Sequence, residues 1–168
     1  MREPRDPKPV EGGHALLFER LVDEEHRHAP HGEEARPLRA HDRGGLKESV
    51  RRELRRLLNT RCNLPLRLLD AAPRTVLDYG VPDFSSLSAH SGDDQKLIAS
   101  VVASTVAAFE PRLREVRVTA ERAPGEAHAL RLQLEARLVV GTHAEPVSFS
   151  LYVHPKTGEA EAYEHQPE

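Results

Sequence analysis

The hydrophobic period changes across Phe109-Glu110-Pro111-Arg112, and only a helix that runs directly into a strand satisfies both sides of that change. Ahead of it, Leu97, Ile98, Val101, Val102, Thr105, Val106 and Phe109 recur at three- and four-residue spacing, the stripe of an amphipathic helix. Beyond Leu113, the residues Val116, Val118 and Ala120 alternate with polar ones, as in a strand buried on one face. Proline disfavours helical geometry at the residue before it, so Glu110 is expected to end the helix. Pro111 and Arg112 then form a fixed corner that holds two opposite charges.

The same periods organise the rest of the chain. Leu46, Val50, Leu54, Leu57 and Leu58 place one stripe on a helix expected over Leu46 to Arg61. Ser91 or Asp93 is expected to cap the second helix. Even positions are apolar in Leu130, Leu132, Leu134, Ala136, Leu138 and Val140, and odd positions are apolar in Val147, Phe149, Leu151 and Val153. Such alternation predicts an antiparallel sheet with one apolar face. The pairings expected are Val118 with Leu132 and Ala120 with Leu130 around a turn at Pro124-Gly125. Leu138 is then set against Phe149, Val140 against Val147 and Leu134 against Val153. A hairpin at Pro155 to Gly158 adds a short edge strand through Ala160 and Ala162. The fold class is therefore α+β, with two main helices packed on one face of a three- to four-stranded antiparallel sheet.

Between the helices, Asn63 to Ser91 is punctuated by Pro65, Pro73, Gly80 and Pro82, with Thr75-Val76-Leu77 read as a short strand. In Asp78-Tyr79-Gly80-Val81-Pro82-Asp83-Phe84, Gly80 permits a tight turn, and Tyr79 and Phe84 pin the loop to the domain. Residues 1–45 lack a sustained apolar period and read as a flexible N-terminal extension and linker, with a short helical segment near 15–22; residues 46–165 form the domain.

A net charge of −3 with 30% charged residues gives no global field for nucleic acid or an anionic membrane. No apolar run approaches the ~20 residues that span a bilayer, and Met1 to Val10 lacks the apolar stretch of a signal peptide, so a cytoplasmic location is expected. The single cysteine, Cys62, is consistent with a reducing compartment.

Catalytic chemistry finds little support. His26, His28, His31 and His41 cluster in sequence, but no Cys pair or His-Glu-x-x-His motif accompanies them, so neither a metal nor any other cofactor is expected. Glu110 with Asp78 or Asp83 would supply the two carboxyl groups of a cell-wall glycoside hydrolase, yet there is no tryptophan and there are only 3 tyrosines and 4 phenylalanines for stacking sugars. The favoured alternative is that Glu110 and Arg112 pair with each other, or with a partner, across the proline corner. The first helix also carries a basic face, including Arg51 and Arg55, which reads as a solvated surface or as a site for an acidic protein partner.

Four segments in order, Leu16-Leu17-Phe18-Glu19-Arg20-Leu21, Ser49 to Arg61, Thr75 to Phe84, and Phe109-Glu110-Pro111-Arg112-Leu113, resemble the TssE family of type VI secretion baseplate subunits. That family is similar to the phage-tail wedge protein historically labelled a lysozyme. The resemblance implies a non-catalytic structural role, joining baseplate subunits TssF, TssG and TssK to the sheath proteins TssB and TssC at a baseplate docked on the inner-membrane complex. A phage-tail-like contractile particle is a neighbouring possibility. It also implies that Glu110, Pro111 and Arg112 hold sheath to baseplate. With the loop residues Asp78, Tyr79, Gly80, Pro82 and Asp83, and with Arg51 and Arg55, they make up the expected partner-binding set.

Overall fold

A computed structural model describes residues 13–14, 40–41, 43–69, 72–124, 129–140, 143–154, 157 and 159–164. The chain divides into two compact units, Met1–Ser49 and Val50–Glu168. In the first, β1 (Gly13–His14) pairs antiparallel with β2 (Ala40–His41). The helical segment expected near 15–22 and most of the expected linker lie outside the described residues.

Helix α1 spans Arg43–Asn59, beginning before Leu46 because Gly44 and Gly45 continue the helix without contributing to the apolar stripe that marks it in the sequence. The stripe itself, Leu46, Val50, Leu54, Leu57 and Leu58, is buried throughout. The helix stops short of Arg61, at Asn59. Asn59 Nδ2 donates to the Arg55 and Ala160 carbonyls, both at 2.7 Å, and its Oδ1 accepts from Ala160 N at 3.0 Å. Arg61 instead opens β3 (Arg61–Cys62), which pairs in parallel with β4 (Val81–Pro82).

Helix α2 spans Gly92–Phe109 and is capped by Ser91, whose Oγ accepts from Asp94 N at 3.3 Å. Asp93 and Asp94 lie in its first turn, where the helix dipole favours negative charge. Ile98, Val101, Val102, Thr105 and Val106 are buried as their spacing requires, whereas Leu97 is 42% exposed at the edge of the stripe.

The four strands β5 (Leu113–Arg122), β6 (Leu130–Val140), β7 (His143–Val153) and β8 (Ala160–Glu164) form an antiparallel meander in sequence order. Its apolar face carries Leu130, Leu132, Leu134, Leu138, Phe149 and Leu151, all buried, each side chain contributing about 1.5–3 kcal/mol of transfer free energy. Helix α2 packs chiefly along β5 and reaches β6. The architecture is α+β.

The observed register differs from the expected one. Val118 faces Leu134, and Ala120 faces Leu132. Leu134 faces Phe149, Ala136 faces Val147, Leu138 faces Glu145 and Val140 faces His143. Slides of two or four residues keep every side chain on its face, so the alternation alone does not choose between them. The β6–β7 ladder continues to the Val140–His143 pair, so a short connection sets that register, while β5 and β6 pair only as far as Arg122 and Leu130. The edge strand expected through Ala160 and Ala162 is present, opposite Val153 and Leu151.

Strand β5 also carries a bulge. The register shifts between Arg114 and Arg117, and Glu115 adopts φ 54°. One extra residue reverses the parity, which is why Leu113 and then Val116, Val118 and Ala120 all turn toward the covered side.

Candidate functional site: the Glu110–Arg112 corner and its supporting loop

Helix α2 ends where the proline requires. Glu110 N still donates to Val106 O at 2.8 Å, but φ −115° and ψ 83° take the chain out of the helix. Three residues later the strand has begun: Leu113 N donates to Glu110 O at 3.1 Å, and just before it Arg112 O accepts from Val139 N of β6 at 2.8 Å. The corner is tied to helix and sheet at once.

Glu110 folds inward, with 1% of its surface exposed. Its Oε1 accepts from Arg112 N at 3.2 Å and Arg112 Nε at 2.7 Å, and its Oε2 accepts from Arg112 Nη2 at 2.6 Å. Both carboxylate oxygens are therefore engaged by one residue, in the two-pronged geometry that suits guanidinium best. The Arg112 side chain is 12% exposed and Pro111 is exposed. The ion pair expected from sequence exists, but its acid is internal. Glu110 orients the Arg112 fork and does not itself face solvent.

Behind the corner lies the loop from Arg74 to Phe84, organised by Arg74. Its Nη1 donates to Thr105 Oγ1 of α2 at 2.8 Å, and its Nη2 donates to the Asp78 and Gly80 carbonyls at 2.7 and 2.6 Å. The guanidinium also lies over the Phe109 ring, 4.7 Å from its centroid. Tyr79 meets the same ring edge-on at 5.3 Å and donates its hydroxyl to Glu53 Oε1 of α1 at 2.7 Å. Burial raises the Tyr79 phenol well above its ordinary value, and the bond to Glu53 reinforces the shift. Contacts thus run from Glu53 through Tyr79 to Phe109, the residue before Glu110.

Gly80 is required by geometry. Its φ is +113°, and a Cβ there would lie 2.5 Å from the Thr60 carbonyl oxygen. That close approach lets Val81 N donate to Thr60 O at 2.8 Å beside the parallel β3–β4 bridge. Pro82 is buried in β4. Phe84 is buried with the Arg61 guanidinium 5.2 Å from its ring centroid; burial lowers the Arg61 pKa, with Asp83 acting in the opposite sense. The carboxyl of Asp83 is held below its usual range by the Ser85 N–H, which donates to it at 2.9 Å.

Thr75-Val76-Leu77 is not a strand. Val76–Asp78 is a single 3-10 turn with a reciprocal cap: Asp78 Oδ2 accepts from Thr75 N and Thr75 Oγ1 at 2.8 and 2.9 Å, while Thr75 Oγ1 accepts from Leu77 N at 3.3 Å. These bonds hold the Asp78 carboxyl below its ordinary value. Thr75-Val76-Leu77-Asp78 carries the spacing of a capping box, a signal present in the sequence. Arg74, by contrast, has no periodic signature; only the fold brings Thr105 and Phe109 to it.

Of the expected partner-binding residues, Arg55, Asp83 and Pro111 are exposed, Arg51, Asp78, Tyr79 and Arg112 are half-buried, and Gly80, Pro82 and Glu110 are buried. No group of three or more His, Cys, Asp or Glu residues suited to a metal ion occurs among the described residues. His26, His28 and His31 lie outside them. No helix among the described residues is long and apolar enough to cross a membrane.

A profile of the family described as Baseplate wedge protein gp25 matches residues 45–143, more than half of the 168 in the chain and all of the site just described. The chain belongs to the gp25 baseplate wedge family. The resemblance carried by the Ser49, Thr75 and Phe109 segments thus leads to the family that the profile identifies. Among solved structures, a chain from "The baseplate complex from the type VI secretion system" is similar to this wedge protein at 23% identity and a TM-score of 0.45, covering 66% of this chain and 98% of that one. No curated protein matches the sequence.

Proposed function

We propose that this wedge-family chain is a non-catalytic structural component of a type VI secretion baseplate and links the wedge to the contractile sheath through the Glu110–Pro111–Arg112 corner. In this reading, TssF, TssG and TssK are its baseplate neighbours and TssB and TssC the sheath proteins beyond it. It works in the cytoplasm, at a baseplate docked on the inner-membrane complex. The observation that carries the reading is the two-pronged clasp of Arg112 by buried Glu110 within the segment matched by the wedge family.

An interface built this way gains orientation more than raw affinity. Glu110 fixes where the Arg112 fork points, Pro111 fixes the chain around it, and the partner meets a surface that needs no reordering. The Asp78–Asp83 loop supports the corner from behind through Tyr79 and Phe109. Its exposed Asp83 and the exposed Arg55 on α1 are further points of contact. Strand β5, at one edge of the sheet, suits extension by a strand from a partner. The carboxylates that a hydrolase would use are engaged elsewhere: Glu110 by Arg112, Asp78 by Thr75 and Asp83 by Ser85.

Affinity purification of the tagged chain from its own cell, with mass spectrometry of the partners, tests the reading. The wild type should recover baseplate and sheath subunits. Glu110→Ala combined with Arg112→Ala, which removes both charges together, should keep the baseplate subunits and lose the sheath. Normal sheath recovery with the double variant would refute the corner, and recovery of neither set would refute the assembly role.

A further inference from the structure

Val76 and Leu77 are 87% and 90% exposed, side by side on a turn whose shape is already set. The reciprocal cap between Thr75 and Asp78 closes it, Asp78 N donates to Thr75 O at 2.9 Å, and Arg74 holds the Asp78 and Gly80 carbonyls from the inner side. Scattered exposed apolar residues are ordinary on a protein surface. An adjacent pair that covers no core, carried on a turn pinned from two directions, departs from that scatter.

The turn itself narrows the partner. The amides of Leu77, Asp78 and Tyr79 and the carbonyls of Thr75, Val76 and Asp78 are all engaged within the turn or by Arg74, so little backbone remains for strand addition here. What the turn offers is two projecting apolar side chains, and their complement is an apolar pocket. Charge selects among such pockets. Asp78 is the next residue, and the Thr75 bonds favour the charged form of its carboxyl. A two-fold contact between copies of this chain would bring two Asp78 carboxylates together, and an anionic lipid surface would repel it.

We infer that the Val76–Leu77 turn is a second docking point, seated in an apolar pocket rimmed by Lys or Arg on a different protein of the assembly. The inference rests on the reading above only in taking the chain to be an assembly component; its residues are distinct from the corner.

The test is site-specific photocrosslinking in the cell, with the full chain carrying p-benzoylphenylalanine at Leu77. One adduct is expected, with a different protein, through a peptide that combines apolar residues with Lys or Arg. With that partner purified, Val76→Ser plus Leu77→Ser should weaken binding more than about tenfold. Val76→Ile plus Leu77→Met should stay within about threefold, and both variants should melt with the wild type. An adduct with a second copy of the chain or with lipid, no adduct, a crosslinked peptide without cationic residues, or unchanged affinity in the serine variant would each overturn the inference. The two proposals fail separately. An adduct that persists while the Glu110→Ala, Arg112→Ala variant assembles normal sheath leaves this docking point standing and removes the corner. No adduct, with sheath lost in that variant, does the reverse.

Discussion

The β5–β8 meander and the loop from Arg74 to Phe84 both belong to the Val50–Glu168 unit, and they are held by opposite means. The meander rests on many repeated contributions: a ladder of backbone bonds and a face of buried apolar side chains, no one of which alone sets its shape. The loop has few buried apolar residues and depends on two polar side chains, Arg74 and Tyr79, each reaching elements distant in sequence. Repetition makes the sheet cooperative and readable; concentration makes the loop sharply shaped and vulnerable at single positions.

The largest expected effect lies in the sheet. Phe149→Ala should cost about 3–5 kcal/mol, read from urea unfolding as one cooperative transition. Arg112→Ala should rival it, at about 3–5 kcal/mol, because it removes the guanidinium and leaves buried Glu110 only the backbone N–H at position 112. Adding Glu110→Gln to that variant should recover part of the loss, and an additive result in the cycle would contradict the clasp. Next comes Arg74→Met, at about 2–3 kcal/mol. Here the contrast is sharpest: hydrogen exchange should accelerate at Tyr79 and Val81 well before it does at Val139, whereas the Phe149 variant should accelerate all three together. If Arg74→Met opened the sheet and the loop equally, the two regions would not be separately held.

Tyr79→Phe should cost about 1 kcal/mol. Its pH dependence has a definite sign. The folded phenol titrates above its unfolded value, so its contribution is complete below about pH 10 and is lost as pH rises through the folded value. The wild type should therefore lose stability in alkali more steeply than Tyr79→Phe, and parallel profiles would mean that burial and the Glu53 bond do not hold the phenol above its ordinary value. The smallest effect is a gain. Glu115→Gly relieves a left-handed residue at the β5 bulge and should stabilise the chain by about 0.5–1 kcal/mol, measured as a raised urea midpoint.

What the sequence discloses follows the same division. The stripes of both helices, the faces of the strands and the helix end at Glu110 are repeated or local signals, and each is where the spacing predicts. Register is neither. Leu134 packs opposite Phe149 because of where the turn ends, and a slide of four residues would leave the alternation untouched. The bulge left a trace, the three-residue step from Leu113 to Val116, that a two-residue template passes over. Glu110 reads as one half of a presented charge pair because sequence shows proximity to Arg112 but not direction; the fold turns the acid inward. Arg74 was illegible because its partners lie 4, 6 and 31 residues away with no common period.

The bond from Val139 N to Arg112 O has a mechanical consequence. It places the first rung of the β5–β6 ladder directly behind the proline corner, so a tug on Pro111 reaches the sheet without stretching the helix that precedes it. Antiparallel rungs lie perpendicular to the strands. A pull along β5 therefore loads many rungs together in shear, whereas a pull across it would open them one after another like a zip. Anything fastened at the corner and drawn along the strand is held by the whole length of β5.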